Sequence, residues 1–338
     1  MKKGIVLVAN LQSQSICENL IYSIRKSGCS LPIRLIHFGG KPVDSKFVLN
    51  EVEFLTVDDF SEEAKAFIKS LQVVLKDCPL GYLYRFLMLF SDWDSFLYSD
   101  NDIVALMNWE KLFDYLGDDY DLVHADEEYA TKGIFNYNKP EEMERIFGEG
   151  ALSTAITAGH ILIRNKPSCV GDFNKAIEWI KVNPGIAKEH DQSLLHIAAL
   201  LGDWKLLNLC KPPYNWLSSW AGDYKNTLDV IQKVQGRDLP ESGGFKVWFS
   251  SLSEQRRAEY INDLKSNPLA TSSISHIHYS GRSKPGNLPI EELIFSSLEK
   301  RVRLKETLEF YLQDYFHILY LKQQKKRIIN GLKRRIKF

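Results

Sequence analysis

The alternation of short apolar runs with helix-like segments constrains this chain more than any other feature. Gly4 to Asn10 reads GIVLVAN, a continuous apolar run of the kind that is buried on both faces of a parallel sheet. Ser15 to Ser27 follows with helical spacing through Ile16, Leu20 and Ile24. Leu31 to Phe38 (LPIRLIHF) predicts a second strand, and Glu53 to Val57 a third. Helical patterns over Ser61 to Lys76 and Tyr82 to Phe90 lead into a strand-like Asp94 to Ser99 (DSFLYS). Further strands are predicted at Tyr120 to His124 and His160 to Ile163, and helices at Asp172 to Lys181 and Asp191 to Leu201. Strands alternating with helices through right-handed crossovers build a mainly parallel sheet. Such a sheet takes its ligand beyond the carboxyl ends of the strands. The expected fold class is α/β and Rossmann-like.

The C-terminal part has a different texture. Residues 203–275 are mixed and rich in Trp, with short helices predicted at Thr227 to Lys233 and Ser253 to Lys265. Pro268 to Pro289 holds Ser, Gly and Pro punctuation around a short His-containing segment. From about Ile290 the pattern becomes one or two long helices. The expected organisation is a domain over 1–289 and a helical extension over 290–338. A chain of 338 residues suffices for one large α/β domain with such an appendage.

Charge is balanced overall and uneven along the chain. Lys+Arg and Asp+Glu are 43 each, but Arg301 to Phe338 carries eleven Lys/Arg against three Asp/Glu. That segment has a net charge of +8 and leaves −8 on the rest. Leu321 to Phe338 holds eight basic residues and no acidic one, with Ile328, Ile329, Leu332 and Ile336 at helical spacing. A basic amphipathic helix lies on an anionic membrane surface. Nucleic acid is the rival partner, and nothing else in the chain supports it. No apolar run approaches the roughly 20 residues that span a bilayer. The apolar stretch after Met1-Lys2-Lys3 lacks a cleavage pattern and reads as a first strand, not a signal peptide. Five cysteines without a Cys-x-x-Cys pair read as buried thiols in a reducing compartment. The expected location is cytoplasmic, peripheral on the cytoplasmic face of a membrane.

Two local patterns carry chemistry. Asp100-Asn101-Asp102 follows the strand-like Phe96-Leu97-Tyr98. Two carboxylates at the end of a buried strand can hold a hard divalent cation, and a cation there can clamp a diphosphate. The triplets Asp92-Trp93-Asp94 and Asp119-Tyr120-Asp121 instead precede strands, as solvated turns do. The second pattern is His278-Tyr279-Ser280-Gly281-Arg282-Ser283-Lys284-Pro285. Histidine can complete a manganese site. Gly281 lets backbone approach a phosphate, and Lys284 adds a mobile positive charge.

Together, the Asp-x-Asp pair and the downstream His-x-x-Gly-x-x-Lys-Pro resemble the family 8 glycosyltransferases. Other pieces fall in the family's order: Tyr84-Arg85, Thr157-Ala158-Gly159-His160-Ile161-Leu162-Ile163, and Asp191-Gln192-Ser193-Leu194-Leu195-His196. The resemblance touches residues 4–286. His196 stands where the family has Asn, and Gly286 where it often has Trp after Lys-Pro.

The resemblance implies the glycosyltransferase A fold and retaining, metal-dependent transfer of a hexose from a nucleotide diphosphate sugar. It implies that Asp100, Asp102 and His278 bind Mn2+ or Mg2+. Gly281 and Lys284 would hold the departing diphosphate, and Arg85 would contact the sugar nucleotide. Ala158 and Gly159 would lie beside the donor sugar, with Asn10 and Asn101 at the strand ends facing the nucleotide. Gln192 would lie on the far face of the sugar, and Asp191 would bind its hydroxyls. For Asp191 a helix N-cap is the competing reading. The acceptor would be a saccharide or a glycolipid, such as lipopolysaccharide or capsule. His124-Ala125-Asp126-Glu127-Glu128 would line its cleft or form an exposed acidic loop. Tyr214, Trp216, Trp220 and Tyr224 would stack on sugar rings or belong to the core.

Rival readings stay open on the residues alone. An inverting transferase or a nucleotidyltransferase of related architecture is one class. The latter needs a Gly-rich loop after the first strand, which Ala9-Asn10-Leu11-Gln12-Ser13 lacks. A non-catalytic sugar-binding or scaffold protein on a transferase fold is the other.

Overall fold

The first strand, β1 (Lys3–Ala9), is buried along nearly its whole length, as its unbroken apolar run predicts. Helix α1 (Gln14–Lys26) follows and buries Cys17, Leu20, Ile21 and Ile24 on one face. Then come β2 (Ile33–His37), α2 (Lys46–Glu51), β3 (Glu53–Leu55) and α3 (Glu62–Val74). Ser61 caps α3 by accepting from the Ala64 N–H, and Glu62 and Glu63 fill its first turn. The helical pattern over Tyr82 to Phe90 resolves into α4 (Leu80–Tyr84) and a tighter 3-10 stretch, Arg85–Phe90. The computed structural model describes residues 2–125, 136–221, 224, 253, 255 and 274–279, all within one unit, Met1–Ile294.

The central strands are β4 (Ser95–Ser99) and β5 (Ile103–Ala105), followed by α5 (Leu112–Leu116) and β6 (Leu122–His124). Helix α6 (Pro140–Phe147), β7 (His160–Arg164), α7 (Cys169–Val182), α8 (Asp191–Leu201) and β8 (Leu206–Asn208) complete the main layers. Strand β9 (His276–His278) arrives from far downstream.

Seven strands form one sheet in the order β3-β2-β1-β4-β7-β6-β8. Every neighbouring pair is parallel except the two that β7 makes, so β7 alone runs backwards. The mainly parallel α/β class expected from the sequence is what the chain builds. Apolar clusters lie on both faces, one around Phe86, Phe96 and Phe173, the other around Leu20, Ile24 and Trp109. A smaller antiparallel pair, β5 with β9, sits beside the large sheet.

The elements the sequence did not announce are short or weakly patterned: α2, β5, α5, α6, β8 and β9. The helices predicted at Thr227 to Lys233, at Ser253 to Lys265 and beyond Ile290 lie outside the described residues, as does the 290–338 extension. All five cysteines are buried, and none forms a disulfide. Among the described residues no helix is long and apolar enough to cross a membrane.

Candidate active site

The topology brings three strand ends together. β1 and β4 are parallel neighbours, so Asn10 and Asp100 emerge at the same edge. β7 is antiparallel to β4, so its beginning, Gly159 and His160, faces that edge too. The Asp100 backbone N–H donates to the Gly159 carbonyl at 2.7 Å and ties the two strands there. β5 leaves this edge directly after Asp102 and pairs Ile103 with His278 of β9. A residue 176 positions away from Asp102 is thereby delivered to the acidic pair.

Asp100, Asp102 and His278 form a cluster whose ligand atoms lie within 4.8 Å of one another. His278 Nε2 is 3.4 Å from Asp102 Oδ1 and 3.8 Å from Asp100 Oδ2. Burial pushes the Asp100 carboxyl above its ordinary range, against the pull of Arg85 and His278. Burial acts the same way on Asp102, but the hydrogen bond and charge of His278 outweigh it and hold Asp102 below its ordinary range. Gly159 permits this closeness, because a Cβ there would stand 2.3 Å from His278 Cε1. The other two triplets are used structurally, as their position before strands predicts. Asp92 pairs with Lys2 and Arg34, Asp94 accepts from the Lys2 N–H, and Asp121 pairs with Lys166.

Behind the cluster, Arg85 is 3% exposed. Its guanidinium lies 3.3 Å from Asp100 and 3.2 Å from Asp191, and it donates to the Ala158 and Tyr82 carbonyls. The Tyr98 hydroxyl donates to Asp100 at 2.5 Å, and its ring underlies the Arg85 guanidinium. Every face of Arg85 is therefore engaged by protein, and it reaches the site through Asp100. The resemblance places Arg85 on the sugar nucleotide, whereas here it braces the carboxylates.

Asp191 is the first residue of α8, and the cap is His190, not Asp191. Asp191 is buried between Arg85 and His190, whose ring lies 2.6 Å away. The bond to Asp191 raises the His190 pKa. Gln192 accepts from the Ala158 N–H at 3.2 Å, so Gln192, Ala158 and Gly159 do converge on the edge. Asn101 donates to the Val8 carbonyl and links the acidic loop to β1. Asn10 turns inward, its side-chain oxygen accepting from the N–H groups of Gln12 and Ser13. Gly281 and Lys284 lie outside the described residues.

A cleft of about 430 Å³ opens beside the cluster. Its lining joins Asp100, Asn101, Asp102 and His278 to Val8, Ile16, Phe38 and Tyr82. Gly81 lets the start of α4 close over Phe38, whose ring a Cβ at 81 would meet at 2.7 Å. Phe38 and Tyr82 are not among the site residues expected from the sequence. Their only signal was an aromatic just past a strand and another at a helix start, which core residues share.

The chain can now be set beside known proteins. A WbbM bifunctional glycosyltransferase superposes with a TM-score of 0.51 at 14% identity, over 90% of this chain and 51% of that one. The fold is the glycosyltransferase A fold. The expected fold class thus holds, and this chain spans about half the length of the WbbM structure. Galactosyltransferase LgtC, solved with donor and acceptor sugar analogues, covers 90% of the chain at 14% identity, 99% of its own length and a TM-score of 0.47. Mouse xyloside xylosyltransferase 1 covers 84% at 9% identity, 99% of its own length and a TM-score of 0.47. Residues 2–145 match the family model described as "Mannosyltransferase putative". That stretch holds β1 to β6 and the acidic pair of this glycosyltransferase A fold, and stops short of Gln192 and His278. No curated protein sequence matches the chain.

Proposed function

We propose that the chain is a metal-dependent glycosyltransferase that moves a hexose from a nucleotide diphosphate sugar to a saccharide or glycolipid acceptor. The observation that carries this reading is the Asp100, Asp102 and His278 cluster at the rim of a nucleotide-sized cleft, on the ligand-binding edge of this fold. Two carboxylates and an imidazole are a donor set suited to Mn2+ or Mg2+. The space above Gly159 fits His278 into that set. A bound cation there supplies positive charge opposite the leaving diphosphate.

The chain's own residues do the rest. Phe38 and Tyr82 offer aromatic faces and Ile16 an apolar one to the nucleoside, between β1 and α4. Arg85 orients Asp100 and opposes the burial that pushes its carboxyl above the ordinary range. Asp191, locked by Arg85 and His190, keeps the start of α8 in place, and Gln192 stands beside Ala158 at the donor-sugar position. Gly281 and Lys284, by the resemblance, take the diphosphate. An amide is a poor nucleophile, so Gln192 acts by stabilising the oxocarbenium-like sugar. The anomeric configuration is retained in this reading, and the acceptor belongs to a lipopolysaccharide, capsule or similar glycan. The basic stretch Leu321 to Phe338 holds the chain on the cytoplasmic face of an anionic membrane.

Calorimetric titration with nucleoside diphosphates, with and without Mn2+, tests the reading. Mn2+-dependent binding, and release of nucleotide from a sugar nucleotide that EDTA stops, are expected. Sugar binding without nucleotide release would leave the scaffold reading standing. NMR of the first-formed product tests retention.

A further inference from the structure

The four aromatics of the segment after β8 have separate fates. Trp216 and Tyr224 are buried. The Trp216 ring packs edge-on against Tyr115 at 5.4 Å, the Trp216 backbone N–H donates to the Leu209 carbonyl at 2.8 Å, and the Tyr224 hydroxyl donates to the Ser218 carbonyl. Tyr214 is exposed and leans edge-on on Tyr115 at 5.2 Å. Trp220 is 42% exposed, although it stands on a segment anchored on both sides.

Trp220 also has a defined neighbour. It forms a parallel bridge with His278, and the His278 N–H donates to the Ser219 carbonyl at 2.7 Å. Residues paired across a bridge project their side chains from the same face, with Cβ atoms about 4.5–5.5 Å apart. His278 pairs with Ile103 on its other side. The row across this small sheet is therefore Ile103, His278, Trp220. Asp102 directly precedes Ile103, and the 430 Å³ cleft reaches the cluster through Asp100, Asn101, Asp102 and His278. Trp220 flanks His278 on the opposite side from Asp102 and is not part of the cleft lining. As the bridge partner of His278 it projects from the same face of the sheet, and it stays partly exposed there.

We propose that Trp220 is the stacking platform for a pyranose ring of the acceptor, on the side of the His278 centre away from the nucleotide cleft. This rests on the glycosyltransferase reading above. A pyranose presents one face of C–H groups and a rim of hydroxyls. An indole beside the reaction centre takes the C–H face, excludes water from it and leaves the hydroxyls free to point at the donor carbon. Trp220 acts through binding and orientation and transfers no proton.

The test uses the full chain with Mn2+, a sugar nucleotide that it turns over, and methyl α-mannoside, methyl β-galactoside and methyl β-glucoside as acceptor probes. Nucleotide release is followed against glycoside concentration, and donor affinity is measured separately by titration. In Trp220→Ala the half-saturating concentration of the stimulating glycoside should rise at least tenfold, with the Mn2+-dependent affinity for nucleoside diphosphate within twofold. Trp220→Tyr, which keeps a flat ring, should recover most of the loss. Unchanged half-saturation in Trp220→Ala overturns the proposal. So does a Trp220→Tyr protein that folds, binds nucleotide and is as impaired as Trp220→Ala. A wild-type chain that releases nucleotide but responds to no glycoside also overturns it, whereas one that releases none from any sugar nucleotide overturns the glycosyltransferase reading instead.

Discussion

A Cβ atom on Gly159 would stand 2.3 Å from Cε1 of His278, and 3.2 Å from Oδ2 of Asp100. One residue thus limits how closely β7 and β9 approach at the proposed metal centre. Gly159→Ala should fold, because the displaced group is a side chain at the site's edge, but it should push His278 away from Asp102. Mn2+ titration should show affinity weaker by about tenfold or more, in the range that disturbed ligand orientation produces. Affinity equal to wild type would mean that His278 is not part of the set.

Two of the acidic triplets make a discriminating series. Asp102→Ala and His278→Ala should each abolish Mn2+-dependent nucleotide binding. Asp92→Ala should leave it within about threefold, since Asp92 is exposed and bonded to Lys2 and Arg34 away from the cleft. Equal damage from Asp92→Ala and Asp102→Ala would remove the assignment of the cluster.

Arg85 sits between the buried Asp191 and the half-buried Asp100, so removing it takes from both the cation they share. Arg85→Met should cost about 3–5 kcal/mol in urea unfolding, the range for breaking a buried ion pair from one side. Arg85→Lys should recover part of that and still bind nucleotide poorly, because a point charge cannot reach Asp100, Asp191 and the Ala158 carbonyl together. Stability unchanged in Arg85→Met would refute the bracing role.

His196 supplies a pH test away from the site. Thr154 gives its hydroxyl proton to the Ala151 carbonyl, so it accepts from His196 Nε2 at 3.0 Å. The Tyr137 hydroxyl then donates to Nδ1 at 2.6 Å, and the ring is neutral. Burial pushes its pKa down to about 3. The unfolded chain therefore takes up a proton below about pH 6.5 that the folded chain refuses. This stabilising contribution is whole above that pH and is lost as pH falls, by at most about 1.4 kcal/mol per pH unit. His196→Gln should flatten the fall in unfolding midpoint between pH 7 and 4. An equally steep fall in the variant would assign the acid sensitivity elsewhere.

The basic stretch supports one prediction from sequence alone. Deleting Leu321 to Phe338 should release the chain from anionic vesicles, since each Lys or Arg near such a surface contributes about 1 kcal/mol. In the intact chain, attachment should weaken with salt as the Debye length shrinks to about 3 Å at 1 M. Vesicle binding that survives the deletion would rule the stretch out as the anchor.

The strand–helix alternation of the first hundred residues was legible because each element is local. GIVLVAN and LIHF have no apolar/polar alternation and can be buried only on two faces, and that demands helices on both sides of a parallel sheet. The end of β4 was legible for the same reason, and with it the difference between Asp100-Asn101-Asp102 and the other two triplets. Three residues resisted this kind of reading. Arg85 reads as a donor contact until its buried neighbours are seen. His196 marks only a departure from a family pattern until Tyr137 and Thr154 close around it. Trp220 is one aromatic among four until its pairing with His278 sets it apart from Trp216.

The parallel sheet, the edge at which a ligand must sit and the acidic pair at that edge can be read along the chain, because periodicity and strand ends are properties of neighbouring residues. The folded chain adds how His278 reaches that pair across β5 and β9, that Arg85 lies behind it between Asp100 and Asp191, and that Trp220 is the aromatic bridged to His278. Those follow from pairings such as Ile103 with His278 and His278 with Trp220. Register between distant strands is chosen by what packs on both faces of the finished sheet, and no local pattern in the chain contains it.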